Sequence, residues 1–532
     1  MDFCTRAFLL IVFVVEAFAQ TNGSFSLTME PASVSVAAGT SAKATMRVGV
    51  AAGFNQPVYL IPGAMPEGVS VMIPSPVVGS QAVTVEIRVA ATAKVQSNSL
   101  AVYAAGAGEN HSANFTVVVL PEGTVVETLK PVVTPVAEPE AQPVVIPEAV
   151  QKYTPPAGTT WVGSWGASAV TPSNDSGAYY LTNVTVRQIA HLSIGTPSAL
   201  RIKLSNALGR DPVSFGAVHV AQWAGDSKTV TSAILPGTDR VVTFGGAATV
   251  SIPGGAEVLS DPILLPLPAG ADLAVSLYVP RTSNVPATMH TFGNQTAYFA
   301  LGDATGNPTL GNAATDTVRP YLTGVEVDAP EASAVVTLGD SLTDGMLSSR
   351  NQNARWPDDL ARRLQDAFAD QLGVVNAGIA GNCVVMNCMG PTMVERFKRD
   401  VLGVGGVKYL ILLAGANDIG NSPDLTVGQL TDAFRSMVAL AHARNILVYG
   451  GTIPPFGGSN YFTVAHEGLR QEVNAFIRGG GVFDGVIDFD KALADAEHPV
   501  NLAAGLNGDK IRPNDAGYQA MANAVDLGML QR

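Results

Sequence analysis

The chain has 532 residues, enough for about three domains of ordinary size. Hydrophobic residues make up 47% and charged residues 14%, so there is material for packed cores and general disorder is excluded. Lys and Arg number 31 against 44 Asp and Glu, a formal charge of −13 with no basic block, which excludes electrostatic capture of nucleic acid.

The first 19 residues read as an export signal. Arg6 precedes the apolar stretch Ala7–Val15, and Ala17-Phe18-Ala19 fits a small-x-small cleavage site, although Glu16 sits close to the apolar core. The stretch is too short to span a bilayer, which needs ~20 residues, and no other segment is apolar enough to serve as a transmembrane anchor. A mature protein starting near Gln20, secreted or periplasmic, is the expectation. Cys383 and Cys388 are then the remaining cysteines, and in an oxidising compartment they close a small disulfide loop; two free buried thiols are the alternative. Without a matching His cluster the pair is a poor zinc site.

Residues 20–120 read as short strands and turns: Ser33–Val36, Thr45–Val50, Val83–Val89, Leu100–Ala104 and Asn114–Leu120. Val83, Val85, Ile87 and Val89 alternate with Thr84, Glu86 and Arg88, as in a half-buried strand. This segment resembles the Ig-like sandwiches of bacterial secreted proteins, which implies a spacer or a weak surface or glycan contact. Residues 121–156 carry eight prolines among Val, Glu and Thr, a composition that favours an extended linker and builds no core. From 157 to 330 the β pattern returns, with Leu273, Val275, Leu277 and Val279 alternating with Asp272, Ala274, Ser276 and Tyr278. A second antiparallel sandwich of jelly-roll type is expected.

From 331 to 532 short apolar runs appear at Ala334–Leu338, Tyr409–Leu413, Ile446–Tyr449 and Val486–Ile487, as in strands buried on both faces. Helical stripes lie between them: Trp356, Leu360, Leu364, Phe368, and then Leu430, Phe434, Met437, Val438, Ala441. Strands alternating with helices imply a parallel sheet covered on both sides, with sites at the carboxyl ends of its strands. Three segments fall at such ends: Gly339-Asp340-Ser341-Leu342, Asn376–Asn382 and Gly415-Ala416-Asn417-Asp418. A serine between a buried strand and a helix is expected exposed at the sheet edge, near N–H groups that suit a developing oxyanion. Taken singly, helix capping by Ser and ordinary turns at Gly and Asn explain each segment as well.

In order and spacing the three segments, with Asp509-Lys510-Ile511-Arg512-Pro513-Asn514-Asp515-Ala516-Gly517-Tyr518, resemble the SGNH (GDSL-type) hydrolase family. The resemblance extends to Trp161–Ser168, Thr185–Ser193 and Leu204–Gly209, which are similar to a secreted bacterial branch with an accessory β domain. It implies an α/β/α three-layer, flavodoxin-like domain behind two all-β sandwiches, and an esterase that needs no cofactor or metal. It also implies Ser341 as nucleophile, Gly381 and Asn417 joining the Ser341 N–H in an oxyanion hole, and Asp509 orienting the catalytic base. The implied substrates are carboxylic esters of carbohydrates or lipids, cleaved through an acyl-enzyme.

The family carries Asp-x-x-His-Pro, whereas this chain has Arg512 at the histidine position. A guanidinium has no lone pair to take the Ser341 proton, so the Ser–His–Asp relay cannot run through it. An Asp509–Arg512 ion pair is the expected local replacement, with Arg512 free to attract an anionic group. His498, in Asp495-Ala496-Glu497-His498-Pro499, is the candidate substitute base, though the helix-leading Pro-Asn-Asp-Ala-Gly-Tyr follows Arg512. A pseudoenzyme that retains the scaffold to bind glycan or an acylated ligand is the rival expectation.

Overall fold

The computed structural model describes residues 25–124 and 159–531, apart from short breaks at 32, 52–57, 63–65, 67, 75, 107–108, 123, 171–172, 175–176, 179, 284, 423 and 480. The expected export signal and nearly all of the proline-rich segment lie outside the described residues.

Residues 25–120 form two four-stranded sheets around one core. One runs in the order Phe25–Glu30, Ser41–Val50, Gln81–Val89, Val69–Met72; the other runs Ser33–Ala37, Glu109–Leu120, Ser97–Gly106, Tyr59–Pro62. In Gln81–Val89 the apolar positions 83, 85, 87 and 89 are buried while Thr84 and Arg88 face solvent, as the alternation requires.

The next region has a six-stranded antiparallel sheet packed against a sheet whose main path is Glu257–Leu259, Ala199–Ser205, Leu322–Asp328, Trp161–Gly166. At the centre of the first sheet lies Asp272–Val279, whose alternation was noted above. It is buried on both faces. Leu273, Val275, Leu277 and Val279 enter the main core, and Ala274 enters a second cluster with Trp223, Ile234 and Tyr298. Small residues at 274 and 276 make room on that face, where Ser276 Oγ accepts from the buried Arg187 guanidinium at 2.8 Å.

The last region is a five-stranded, all-parallel sheet. Its strands are β1 (Ser333–Gly339), β2 (Leu372–Gly378), β3 (Val407–Leu413), β4 (Leu447–Gly451) and β5 (Gly485–Ile487), in the order β2-β1-β3-β4-β5. Helices alternate with them: α1 (Ser341–Asp344), α2 (Trp356–Phe368), α3 (Met393–Phe397), α4 (Ala416–Asn421), α5 (Val427–His442), α6 (Val464–Gly479), α7 (Phe489–Leu493) and α8 (Asp515–Asn523). The periodic stripes face inward: Trp356, Leu360 and Leu364 of α2 are buried on one side, and Leu430, Phe434, Met437, Val438 and Ala441 of α5 on the other. The chain leaves β1 toward β2 on one side and β3 on the other, so the crevice of this topology opens at the carboxyl ends of β1 and β3.

β2 is an edge strand of this sheet and would expose unpaired backbone groups. The preceding β region covers it. The Val374 N–H donates to Ser193 Oγ at 2.8 Å, and Gly163 N–H donates to Gly405 O at 2.9 Å. A side chain at Gly163 or Gly166 would run into Val375, so those glycines permit the close approach of Trp161–Gly166 to β2.

Candidate active site

The serine loop is built by the end of β1. Asp340 caps α1, its Oδ1 accepting from the Leu342 N–H at 2.9 Å, and Gly345 ends that helix in the left-handed region with φ +86°. Burial pushes the Asp340 carboxyl up to about 7, and the nearby Asp418 acts in the same direction. The β2 loop docks on this turn from the side: Asn376 Nδ2 donates to Thr343 O at 2.8 Å, and the Ala380 N–H donates to Asp344 Oδ2 at 2.8 Å.

The β2 and β3 loops are joined in turn. Asn417 Nδ2 donates to Asn382 O at 2.8 Å, and Asp418 accepts from the Val384 and Val385 N–H groups. Cys383 and Cys388 form a disulfide with Cα atoms 5.6 Å apart, closing the segment that carries those amides. Tyr461 donates its hydroxyl to Asn417 Oδ1 at 2.9 Å, which fixes which way the amide faces and leaves one Nδ2 hydrogen for a ligand. Gly381 sits at φ +77°, a conformation that glycine adopts without strain. Its N–H and that of Ser341 have no acceptor among the described residues. Three strand ends therefore form one continuous hydrogen-bonded rim, as placed at the topological switch point.

The final loop brings Arg512 onto the serine. Asp509 Oδ1 accepts from the Ile511 and Arg512 N–H groups at 3.1 and 2.8 Å, its Oδ2 pairs with Arg512 Nη1, and Lys510 turns through φ +74°. Arg512 Nε then lies 3.4 Å from Ser341 Oγ. Ser341 is only 3% exposed, against the expectation of an exposed serine, and the Arg512 side chain lies against its hydroxyl. The serine oxygen is thus an acceptor, and its own proton has no acceptor among the described residues. His498 is placed differently: its side chain is 71% exposed, 3.7 Å from Asp495, and among the described residues it makes no hydrogen bond to Ser341.

Two supports were not read from the sequence. Arg396, fully buried on α3, donates to Gly339 O, Ala377 O and Asn382 Oδ1 and pairs with Asp400 at 2.9 Å, tying the ends of β1 and β2 together. Its one signal is a charge set between the apolar Met393 and Phe397 of a short helix. His290, from the β region, donates through Nδ1 to Ser168 O and meets Asp344 Oδ1 through Nε2 at 2.9 Å, with both side chains buried. No periodicity announces a contact across 54 residues of sequence.

Residues 337–520 match the family described as GDSL-like Lipase/Acylhydrolase. Among solved structures, an alpha/beta hydrolase enzyme from the metagenome of Lake Arreo is similar at 23% identity, covering 37% of this chain and 94% of that one with a TM-score of 0.29. The lipase/acylhydrolase from Enterococcus faecalis is similar at 20% identity over 36% and 92%, with a TM-score of 0.29. A carbohydrate acetylesterase from Sinorhizobium meliloti is similar at 15% identity over 36% and 95%, also at 0.29. No curated protein gives a match. A parallel sheet with its serine, glycine and asparagine loops at one rim, together with the match over 337–520, shows that this chain carries a domain of the SGNH (GDSL-like lipase/acylhydrolase) family.

Proposed function

We propose that the protein is an exported serine ester hydrolase acting on carboxylic esters of carbohydrates or lipids, with Arg512 limiting its rate. One observation carries this reading: Ser341 shares its rim with the Ser341 and Gly381 N–H groups, which have no acceptor among the described residues, and with Asn417, whose Nδ2 gives one hydrogen to Asn382 O and keeps the other for a ligand. Attack by Ser341 Oγ on the ester carbonyl places the oxyanion among those donors; the alcohol leaves, and water then releases the acid from the acyl-serine. Both steps need a group to move protons, and the guanidinium beside Oγ takes none. Loss of general-base assistance costs typically ~10²–10⁴-fold, so activated aryl esters are the substrates on which turnover remains measurable. The export-signal pattern and the Cys383–Cys388 disulfide support a secreted or periplasmic location, and the 25–120 sandwich is read as a spacer with surface or glycan contacts.

The contact of Arg512 with Ser341 favours a second reading, a cleft that binds an acylated ligand without hydrolysing it. Hydrolysis of p-nitrophenyl butyrate by wild type, Ser341→Ala and Arg512→His separates the two. The ester-hydrolase reading expects a low rate in wild type that vanishes in Ser341→Ala and rises by at least ~10²-fold in Arg512→His. Equal rates in all three variants contradict it.

A further inference from the structure

We propose that the Ser341 cleft is a binding site for an aliphatic carboxylate, so that the free acid rather than the ester is the ligand held most tightly. The inference deepens the reading of this cleft as the ligand site and rests on it. Four donors of these joined loops lack an acceptor among the described residues: the Ser341 and Gly381 N–H groups, the second Nδ2 hydrogen of Asn417, and Nη2 of Arg512, whose Nε lies 3.4 Å from Ser341 Oγ. Ser341 and Asn417 are 3% and 5% exposed, so their donors are largely withheld from water, whereas Gly381 and Arg512 are half-buried and face the approach of a ligand. Buried donors without acceptors are costly, and an ester carbonyl offers one weak acceptor where a carboxylate offers two charged oxygens.

A histidine at 512 would supply a lone pair and, when neutral, no charge. The arginine supplies a permanent cation. Asp509 holds it through Nη1 and by that pair fixes the fork, leaving Nη2 for a ligand oxygen. An oxyanion hole meets negative charge only in passing, at the tetrahedral stage; a cation added beside it extends the same complementarity to a ligand charged in its ground state.

The aliphatic part is argued from Leu347. It sits at φ +73°, strained for a branched residue, and is 48% exposed beside Gly508 of the loop that carries Asp509 and Arg512. An apolar side chain held out at the rim of a charged site suits an alkyl chain attached to the carboxylate.

The test is a calorimetric titration of the full chain with sodium butyrate and, separately, with butyramide, which has the same shape without the charge. Wild type is expected to bind butyrate saturably and butyramide at least about tenfold more weakly; Arg512→Gln is expected to lose about tenfold for butyrate and to leave butyramide unchanged. Equal affinity for the two probes, full retention of butyrate binding in Arg512→Gln, or no butyrate binding at millimolar concentration overturns the proposal. Butyrate binding in a protein whose Arg512→His variant gains no esterase turnover supports the carboxylate site while removing the hydrolase reading. Turnover that butyrate does not inhibit does the reverse.

Discussion

At the residue scale the site turns on charge placement around one hydroxyl. Arg512 puts a cation against Ser341 Oγ, and Asp340, one residue away, is buried beside Asp418 and carries a carboxyl raised to about 7. The raised value has a consequence for stability. Between about pH 4 and pH 7 the folded chain holds the Asp340 proton that the unfolded chain has released, so this contribution is whole below about 4 and lost as pH rises through 7. Asp340→Asn keeps an oxygen to cap Leu342 and removes the buried charge. The variant is expected to be more stable than wild type at pH 8 by on the order of 2 kcal/mol, with a flatter profile from pH 4 to 7; Asp418, also raised by burial, retains part of the slope. Calorimetry across that range checks it, and a slope unchanged by the substitution contradicts it.

At the element scale, period and run length carried most of the last region. Continuous apolar runs such as Tyr409–Leu413 became strands buried on both faces, and the α2 and α5 stripes became helix faces on opposite sides of the sheet. Where a second layer was involved, the pattern said less. Asp272–Val279 alternates like a half-buried strand, yet its other face is covered by a cluster whose members, Trp223, Ile234 and Tyr298, come from distant segments. The strand-end segments at 339–342, 376–382 and 415–418 stood out only as a set, through their resemblance to the family pattern, since each alone reads as a cap or a turn. Arg396 and His290 did not stand out, since each acts through partners far away in sequence. The glycines of Trp161–Gly166 were legible as part of a resemblance, while their physical role appears only against β2. Gly163→Val places methyl groups where Val375 and Val404 already stand, so it is expected to destabilise the domain pair by about 1–3 kcal/mol, read as a lower urea midpoint. No change in midpoint would mean that the β region does not rest on that edge.

At the scale of the whole molecule, the middle sandwich and the parallel-sheet domain are bound by the Gly163 N–H to Gly405 O bond, by the His290–Asp344 contact, and by Ser193 on Val374. They are expected to melt together, so calorimetry of residues 157–532 should give one transition; two well-separated transitions would show that the contacts do not couple them. Through these contacts the accessory sandwich reaches the serine loop itself, since Asp344 both receives His290 and accepts the Ala380 N–H. The match over 337–520 gives the scaffold, and Arg512 makes its chemistry unlike the family pattern that the loops resemble. The central claim is that the strand-end loops still form an acyl-transfer site around one hydroxyl. Mass spectrometry of a neutral fluorophosphonate adduct tests it most directly. The adduct is expected on Ser341, forming at least ~10²-fold faster in Arg512→His than in wild type; a folded Arg512→His protein that carries no adduct at Ser341 would contradict the account.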